Sequence, residues 1–331
     1  MFNLLWLQSA GCGGCSMSLL NAESPDLIST FKAANINLLW HPSLSEETGS
    51  EVTELLDKIL ADELKLDALC IEGAVPRGPE GTGRFHILGG TNTPMMTWVQ
   101  QLAQKAKYTI AIGSCAAYGG ISAAGENITD AAGLQFEGEV PGGILGAEYR
   151  SASGFNTVNI SGCPVHPNWV TETLISLALG EHSEEAVDQF GRPRMYADHL
   201  VHHGCSRNEF YEYKASAENP GDLGCMMENM GCLGTQAHAD CNTRPWNGEG
   251  SCTKGGYACI NCTAPEFEEP MHSFMQTPKV AGIPVGLPTD MPKAWFVALA
   301  SLSKAATPER LRKNATSETL IYPPTVHKRK S

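Results

Sequence analysis

The chain is poor in positive charge. Its 331 residues carry 23 Lys and Arg against 36 Asp and Glu, for a formal net charge of −13. Apart from the short tail HKRK at 327–330, expected to be a solvated end, there is no basic block. Phosphate backbones are gripped through clustered Lys and Arg, so nucleic acid is excluded as a partner class. Long apolar runs are also missing: none approaches the roughly 18–20 residues of a membrane helix. The N-terminus shows no basic segment leading into an apolar stretch with a small-residue cleavage site, and no twin-arginine pair. It runs directly into a strand-like "MFNLLWLQ". A cytoplasmic location without membrane association is therefore expected. No internal repeat is visible. The length suggests about two domains, and a hydrophobic content of 42% suffices for a sizeable core.

What the chain does have is cysteine, twelve in all. A reducing compartment disfavours disulfides, so their clustering points to metal or cluster ligation. In the first half, short continuous apolar runs at 3–8, 36–40, 66–71, 108–112 and 156–160 read as strands covered on both faces. Helical segments lie between them. Ser24-Pro25 reads as N-cap and first-turn proline of a helix reaching about Asn35. Val52, Leu55, Leu56, Ile59 and Leu60 make a one-sided amphipathic helix. Thr93-Pro94 opens a third, with Trp98, Val99 and Leu102 inward. A fourth spans His166 to Leu179 and stops at Gly180. Repeated βα units predict an α/β fold with a doubly wound, mostly parallel sheet of flavodoxin type. From about 181, strand runs vanish while Gly, Asn and Cys rise. An irregular domain organised by bound metal is expected there. A final helix is expected after a Pro- and Gly-rich stretch (276–292), with Asp290 as N-cap and Trp295, Phe296 and Leu299 as its apolar stripe.

In open parallel sheets, ligands bind beyond the carboxyl ends of the strands. Three loops at that edge carry thiols: Cys12 and Cys15 after the first strand, Cys115 in "AIGSC", and Cys163 in "NISGCP". Neighbouring glycines let the backbone approach a compact object. Four thiolates suit tetrahedral zinc or a cubane iron–sulfur cluster. Cys70 lies inside a strand run and reads as a buried, inert thiol. In the second half, "HHGC" and "CMMENMGC" supply His202, Cys205, Cys225 and Cys232, the His-x-x-Cys spacing favouring His202 over His203. Cys241, Cys252, Cys259 and Cys262 form a further quartet, which alone would also suit a zinc ribbon. Eleven of the twelve cysteines thus fall into three ligand sets. Three sites favour an electron relay over a zinc-stabilised scaffold without redox function.

With these motifs in view, the whole chain resembles the small subunit of nickel–iron hydrogenases, specifically the regulatory, hydrogen-sensing class. The carriers are "LWLQSAGCGGCSMSLL", "EGAVPRGP", "GSCAAYGGI", "GCPVHP", "HHGCSRNEFYE", "CMMENMGC", "CNTRPWNGEGSC" and "ACINC". The resemblance implies a flavodoxin-like domain (1–180), a cysteine-rich cluster domain (181–275), and a C-terminal extension (276–331). It implies that Cys12, Cys15, Cys115 and Cys163 hold a proximal [4Fe–4S] cluster, and His202, Cys205, Cys225 and Cys232 a distal one. Cys241, Cys259 and Cys262 match the medial ligands. Many relatives have proline where Cys252 stands and hold a medial [3Fe–4S] cluster; the extra thiol here implies [4Fe–4S]. Cys225 and Cys232 are one residue further apart than in many relatives. The nickel–iron centre belongs to a separate large subunit, the obligate partner, with no catalytic residue in this chain. The loop 72–86 is the expected contact with it. Glu72, at a strand end, is read as a structural hydrogen-bond acceptor or as an aid to proton exit. The intact Cys15 and the extension suggest the sensor class: a dimer of heterodimers contacting a histidine kinase, with Trp295 and Phe296 as candidate anchors. The alternative is a small subunit of a cytoplasmic uptake hydrogenase.

Overall fold

A computed structural model describes residues 1–267, 275–280, 283–284 and 292–324, the side chains of Lys293 and Phe296 excepted. Asp290 and the 327–330 tail lie outside the described residues. Contacts divide the chain into two compact units. The first comprises Met1–Ala197 with Cys262–Pro270; the second comprises Asp198–Asn261 with Met271–Ser331. The 276–331 segment therefore belongs to the same unit as 198–261.

The first unit is built on five parallel strands: β1 (Phe2–Gln8), β2 (Ile36–Trp40), β3 (Ala68–Glu72), β4 (Tyr108–Ile112) and β5 (Val158–Ile160). Their order is β2-β1-β3-β4-β5, the flavodoxin-like order. Every residue of β3, β4 and β5 is buried, which is why those runs are continuously apolar, whereas β2 at the edge is only partly covered. β5 starts two residues later than the apolar run suggests. The Gln135 side chain takes the Thr157 amide (2.8 Å) and donates to Asn156 Oδ1 (3.1 Å), replacing ladder bonds.

Helices cover the sheet. In order they are α1 (Gly14–Leu20), α2 (Leu27–Ala33), α3 (Ser50–Leu60), α4 (Met95–Lys105), α5 (Gly113–Tyr118) and α6 (Pro167–Leu179). Val52, Leu56 and Ile59 of α3 join Trp98, Val99 and Leu102 of α4 in one core with Leu69 and Ile71 of β3. Each such aliphatic side chain contributes about 1.5–3 kcal/mol. One cap differs from expectation. Asp26, not Ser24, caps α2, its carboxylate accepting from Ser29 N (2.9 Å). A carboxylate three residues before the amide reaches it directly, and Ser24 lies too far back. α6 ends as expected at Gly180, in the left-handed region (φ 75°).

Burial holds His41, His86 and His182 below the ordinary imidazole pKa. His182 packs edge-on against Phe155 (5.0 Å, 73°). A base depressed in the folded state binds more protons when unfolded. Its contribution is thus present above the unfolded value near 6.5 and is lost as pH falls. Melting temperature is expected to drop between pH 7 and 5, and His182→Phe to shrink that drop. An unchanged pH slope in the variant would remove His182 from this account.

Among its described residues the second unit contains little regular structure: a 3-10 turn (Val201–Gly204), α7 (Asn208–Glu212), a short antiparallel pair (Lys279–Val280 with Ile283–Pro284), α8 (Lys293–Ala306) and α9 (Glu309–Ala315). α8 begins after Pro292. Leu311 and Ala315 of α9 pack with Ala215, and Gly224 N donates to Ala315 O (3.0 Å). The C-terminal segment is thus woven into this unit. No helix among the described residues is long and apolar enough to cross a membrane.

Candidate metal centres

The order of the first sheet reverses beside β1, and there the loops after β1 and β3 touch. Ala10 and Ala74 exchange backbone hydrogen bonds (2.9 Å each). A Cβ on Gly73 would sit 2.8 Å from the Ala10 carbonyl, so only glycine permits this approach. Just beyond, Gly13 at φ 72° turns the chain into α1, which carries Cys15 in its first turn. Cys115 lies in α5 after β4, and Cys163 follows β5.

Hydrogen bonds lace these loops together. Ser114 N donates to Gly162 O (3.0 Å) and Gly162 N donates back to Ser114 Oγ (2.9 Å), joining the Cys115 helix to the Cys163 loop. Ser18 Oγ donates to Val165 O (2.6 Å), joining α1 to the same loop. The Cys15 and Ser16 amides donate to Glu72 Oε1 (3.1 and 3.0 Å). Bare backbone lies against the sulfurs. A Cβ on Gly113 would meet Cys15 Sγ at 2.5 Å, one on Gly120 would meet Cys115 Sγ at 2.9 Å, and one on Gly14 would meet Cys12 Sγ at 3.1 Å. Burial pushes the Cys15 thiol well up, and Glu72, Cys115 and Cys163 raise it further, against a backbone hydrogen bond from Val165. Such crowded thiols become thiolates only when positive charge is bound among them. Cys15, Cys115 and Cys163 fit the thiolate corners of a compact multi-iron group, and Cys12 stands exposed on the turn that leads into α1.

Glu72 anchors these loops through more than its position at the strand end. Besides the two amides, its Oε2 accepts from Trp6 Nε1 (3.1 Å), Gln8 Nε2 (3.0 Å) and Ser16 Oγ (2.5 Å). Five donors converge on one buried carboxylate. Cys70, fully buried in β3, is raised by burial alone, as an inert thiol should be.

In the second unit the 3-10 turn presents His202 and Cys205, burying His202 and leaving His203 exposed. His202, Cys205, Cys225 and Cys232 line one cavity. The His202 ring stands edge-on to Tyr211 (4.2 Å, 66°). Burial, then Cys232 and Cys205, push the Cys225 thiol up to about 12, against the Met227 amide and Lys214. Backbone amides already point at sulfur: Arg207 N donates to Cys205 Sγ and Cys259 N to Cys232 Sγ, each at 3.4 Å. Amide donors of this kind tune an iron–sulfur potential. A residue that the sequence did not single out organises this region. Arg207 donates from Nη1 to Asp222 O (2.6 Å) and Gly224 O (2.7 Å), and from Nε to Thr253 O (3.1 Å). It thereby clamps the stretch leading to Cys225 onto the turn after Cys252. Its only sequence signal was its place in "HHGCSR".

The last quartet is divided between the two units. Cys241, Cys252 and Cys259 belong to the second and Cys262 to the first. Cys259 is 8% exposed, Cys252 exposed, and Cys241 half-buried. Among the described residues no three His, Cys, Asp or Glu side chains close tightly on a single-ion position.

The chain is similar to known proteins over most of its length. Residues 12–177 match the family described as NADH ubiquinone oxidoreductase, 20 Kd subunit, and residues 197–275 match the family of the C-terminal part of NiFe/NiFeSe hydrogenase small subunits. The F420 non-reducing hydrogenase II small subunit of Methanosarcina mazei is 35% identical over 290 residues, covering 80% of this chain and 73% of its own. The periplasmic [NiFeSe] hydrogenase small subunit of Desulfomicrobium baculatum is 33% identical, covering 82% and 86%. The chain belongs to the nickel–iron hydrogenase small subunits. The actinobacterial-type NiFe-hydrogenase structure from Ralstonia eutropha H16 superposes with a TM-score of 0.75 at 28% identity, over 97% of this chain and 95% of that one. As a hydrogenase small subunit, the protein transfers electrons, bears iron–sulfur clusters, and acts with a large subunit that holds the nickel–iron centre.

Proposed function

We propose that this hydrogenase small subunit is the electron relay of a cytoplasmic hydrogen sensor whose output is a histidine kinase controlling hydrogenase genes. Cys12, Cys15, Cys115 and Cys163 hold the proximal [4Fe–4S] cluster, and His202, Cys205, Cys225 and Cys232 the distal one. Cys241, Cys252, Cys259 and Cys262 hold a medial cluster, [4Fe–4S] because a fourth thiol is available. Bound there, the clusters supply one-electron transfer; the chain's own residues fix their thiolates, exclude water and aim amides at sulfur. Mössbauer spectra of native protein are expected to need no three-iron component, and a three-iron component would return the medial site to [3Fe–4S]. Exposed Met17 on α1, Phe85 in the 72–86 loop, and Ile121 beside Gly120 suit contact with the large subunit.

The observation carrying the sensor reading is α8. Trp295 (66% exposed), Leu299 (42%) and Leu302 (67%) lie at i, i+4 and i+7 on one helix face. An apolar stripe of this kind marks an interaction surface, and it suits the pairing of two heterodimers and kinase contact. The side chain of Phe296 lies outside the described residues. Because Leu311 and Ala315 are buried, truncating 276–331 would damage the fold as well as the surface. Point charges are the cleaner test. Trp295→Asp with Leu302→Asp is expected to reduce the assembly from two heterodimers to one by light scattering, and to uncouple the kinase from H2. Unchanged mass and unchanged gene control, with fast turnover on soluble acceptors, would replace the sensor by the uptake enzyme.

A further inference from the structure

Cys262 begins a stretch that belongs to the first unit, although the chain before it belongs to the second. Three buried side chains hold its first two carbonyls. Ser114, in the first turn of α5, donates from Oγ to the Cys262 carbonyl. Ser161, directly after β5, donates from Oγ to the Thr263 carbonyl (3.0 Å). Arg192 Nη1 donates to that same carbonyl (3.2 Å) while its guanidinium pairs with Asp188 (2.8 Å). Ser114 is 1% exposed and Ser161 fully buried, so water does not compete for their bonds.

Ser114 has a place the other two lack. It directly precedes Cys115, and its Oγ accepts from the amide of Gly162 (2.9 Å), the residue before Cys163. One hydroxyl, with its proton and a lone pair both committed, thus joins the backbone beside two proximal thiols to the carbonyl of Cys262. From Cys115 Sγ to Cys262 Sγ this path is covalent except for the single Ser114 hydrogen bond. Ser161 reaches Thr263, one residue beyond the thiol, by a longer path.

We propose that Ser114 is a positioning residue whose hydroxyl couples the proximal thiolates to Cys262 and so sets how readily electrons pass between the two sets, on the reading of Cys115 as a proximal and Cys262 as a medial ligand. Electrons tunnel better along bonds and hydrogen bonds than across van der Waals gaps, because a gap costs orbital overlap. The balance is one electron lost by the proximal set and one gained by the medial set, with H2 as the reductant. No covalent bond forms or breaks, and the Ser114 proton stays on Oγ.

The test is electron paramagnetic resonance at two microwave frequencies on the purified heterodimer reduced by H2. Coupling between paramagnetic clusters has a dipolar part, set by distance, and an exchange part, set by the bonded path and independent of field. Native protein is expected to show both. Ser114→Ala should lower the exchange part severalfold, with iron content and the dipolar part unchanged. Ser114→Thr, which keeps the hydroxyl, should restore it. Ser161→Ala removes an anchor of the same kind and should leave the exchange part as in native protein. An exchange part untouched by Ser114→Ala, or lowered equally by Ser161→Ala, would overturn the bridge and leave a clamp. Loss of iron in Ser114→Ala would overturn it too, since the hydroxyl would then govern ligation. Iron content and Mössbauer spectra of the native heterodimer report separately on the ligand reading; complete clusters with dipolar coupling alone would remove the bridge and leave that reading standing.

Discussion

In the heterodimer, Cys115→Ser is expected to abolish the passage of electrons from H2 into this subunit and to lower its iron by about four atoms. Cys115 lies in α5 with its sulfur against the backbone of Gly120, where a Cβ would come within 2.9 Å. Serine is smaller than cysteine, so the helix and its tie to Gly162 should persist. What changes is the donor. Iron–sulfur clusters select soft thiolate ligands, and a hydroxyl is hard and stays protonated. Cys70→Ser is the control. It places a hydroxyl in a fully buried strand, at a cost of about 1–3 kcal/mol. Cys70 stands outside all three thiol sets, so iron should be unaffected. Measured together, iron content and H2-reduced electron paramagnetic resonance spectra separate the two. Equal iron loss in both variants would show that folding, rather than ligation, governs the metal, and the assignment of the proximal set would fall.

How much of this was legible in the sequence follows physical lines. The inner strands were visible because residues covered on both faces must be apolar, as in 108–112, which coincides with β4; the run 36–40 coincides with β2 although that edge strand is only partly covered. The carboxyl-end rule then placed three thiol-bearing loops on one edge. Caps were less legible. Ser24 and Asp26 both have the chemistry to cap α2, and only backbone geometry chooses the nearer oxygen. The second unit hid most. Its folding depends on contacts between distant irregular segments, such as Arg207 with the carbonyls of 222, 224 and 253, and these leave no periodic trace. The C-terminal segment showed an apolar stripe in its sequence but concealed that Thr277 Oγ1, donating to Met227 O (2.7 Å) and accepting from Gly231 N (2.8 Å), props the loop between Cys225 and Cys232. A threonine in a Pro- and Gly-rich stretch carries no signal of that task.

Glu72→Ala is expected to be the most damaging single change away from a thiol. Glu72 is 3% exposed and receives five donors, an arrangement that uses a carboxylate purely as an acceptor. The network has a defined direction. Ser43 N donates to His41 Nδ1 (3.0 Å), which places the ring proton on Nε2; Nε2 then donates to Ser16 Oγ (3.1 Å), leaving the Ser16 proton for Glu72. Removing the carboxylate strands the Cys15 and Ser16 amides and the Trp6 indole together. Breaking a buried charged network costs about 3–5 kcal/mol, which lowers the melting temperature of a unit this size by roughly 6–20 °C. Glu72→Gln should lose less, since its carbonyl still serves the two amides while its NH2 faces the remaining donors. Because those amides set the turn carrying Cys15, the proximal signal should shift in both variants. If Glu72 instead moved protons, Glu72→Gln would keep its stability and spectrum yet alter the pH profile of H2 oxidation, and the structural account of this residue would have to be given up.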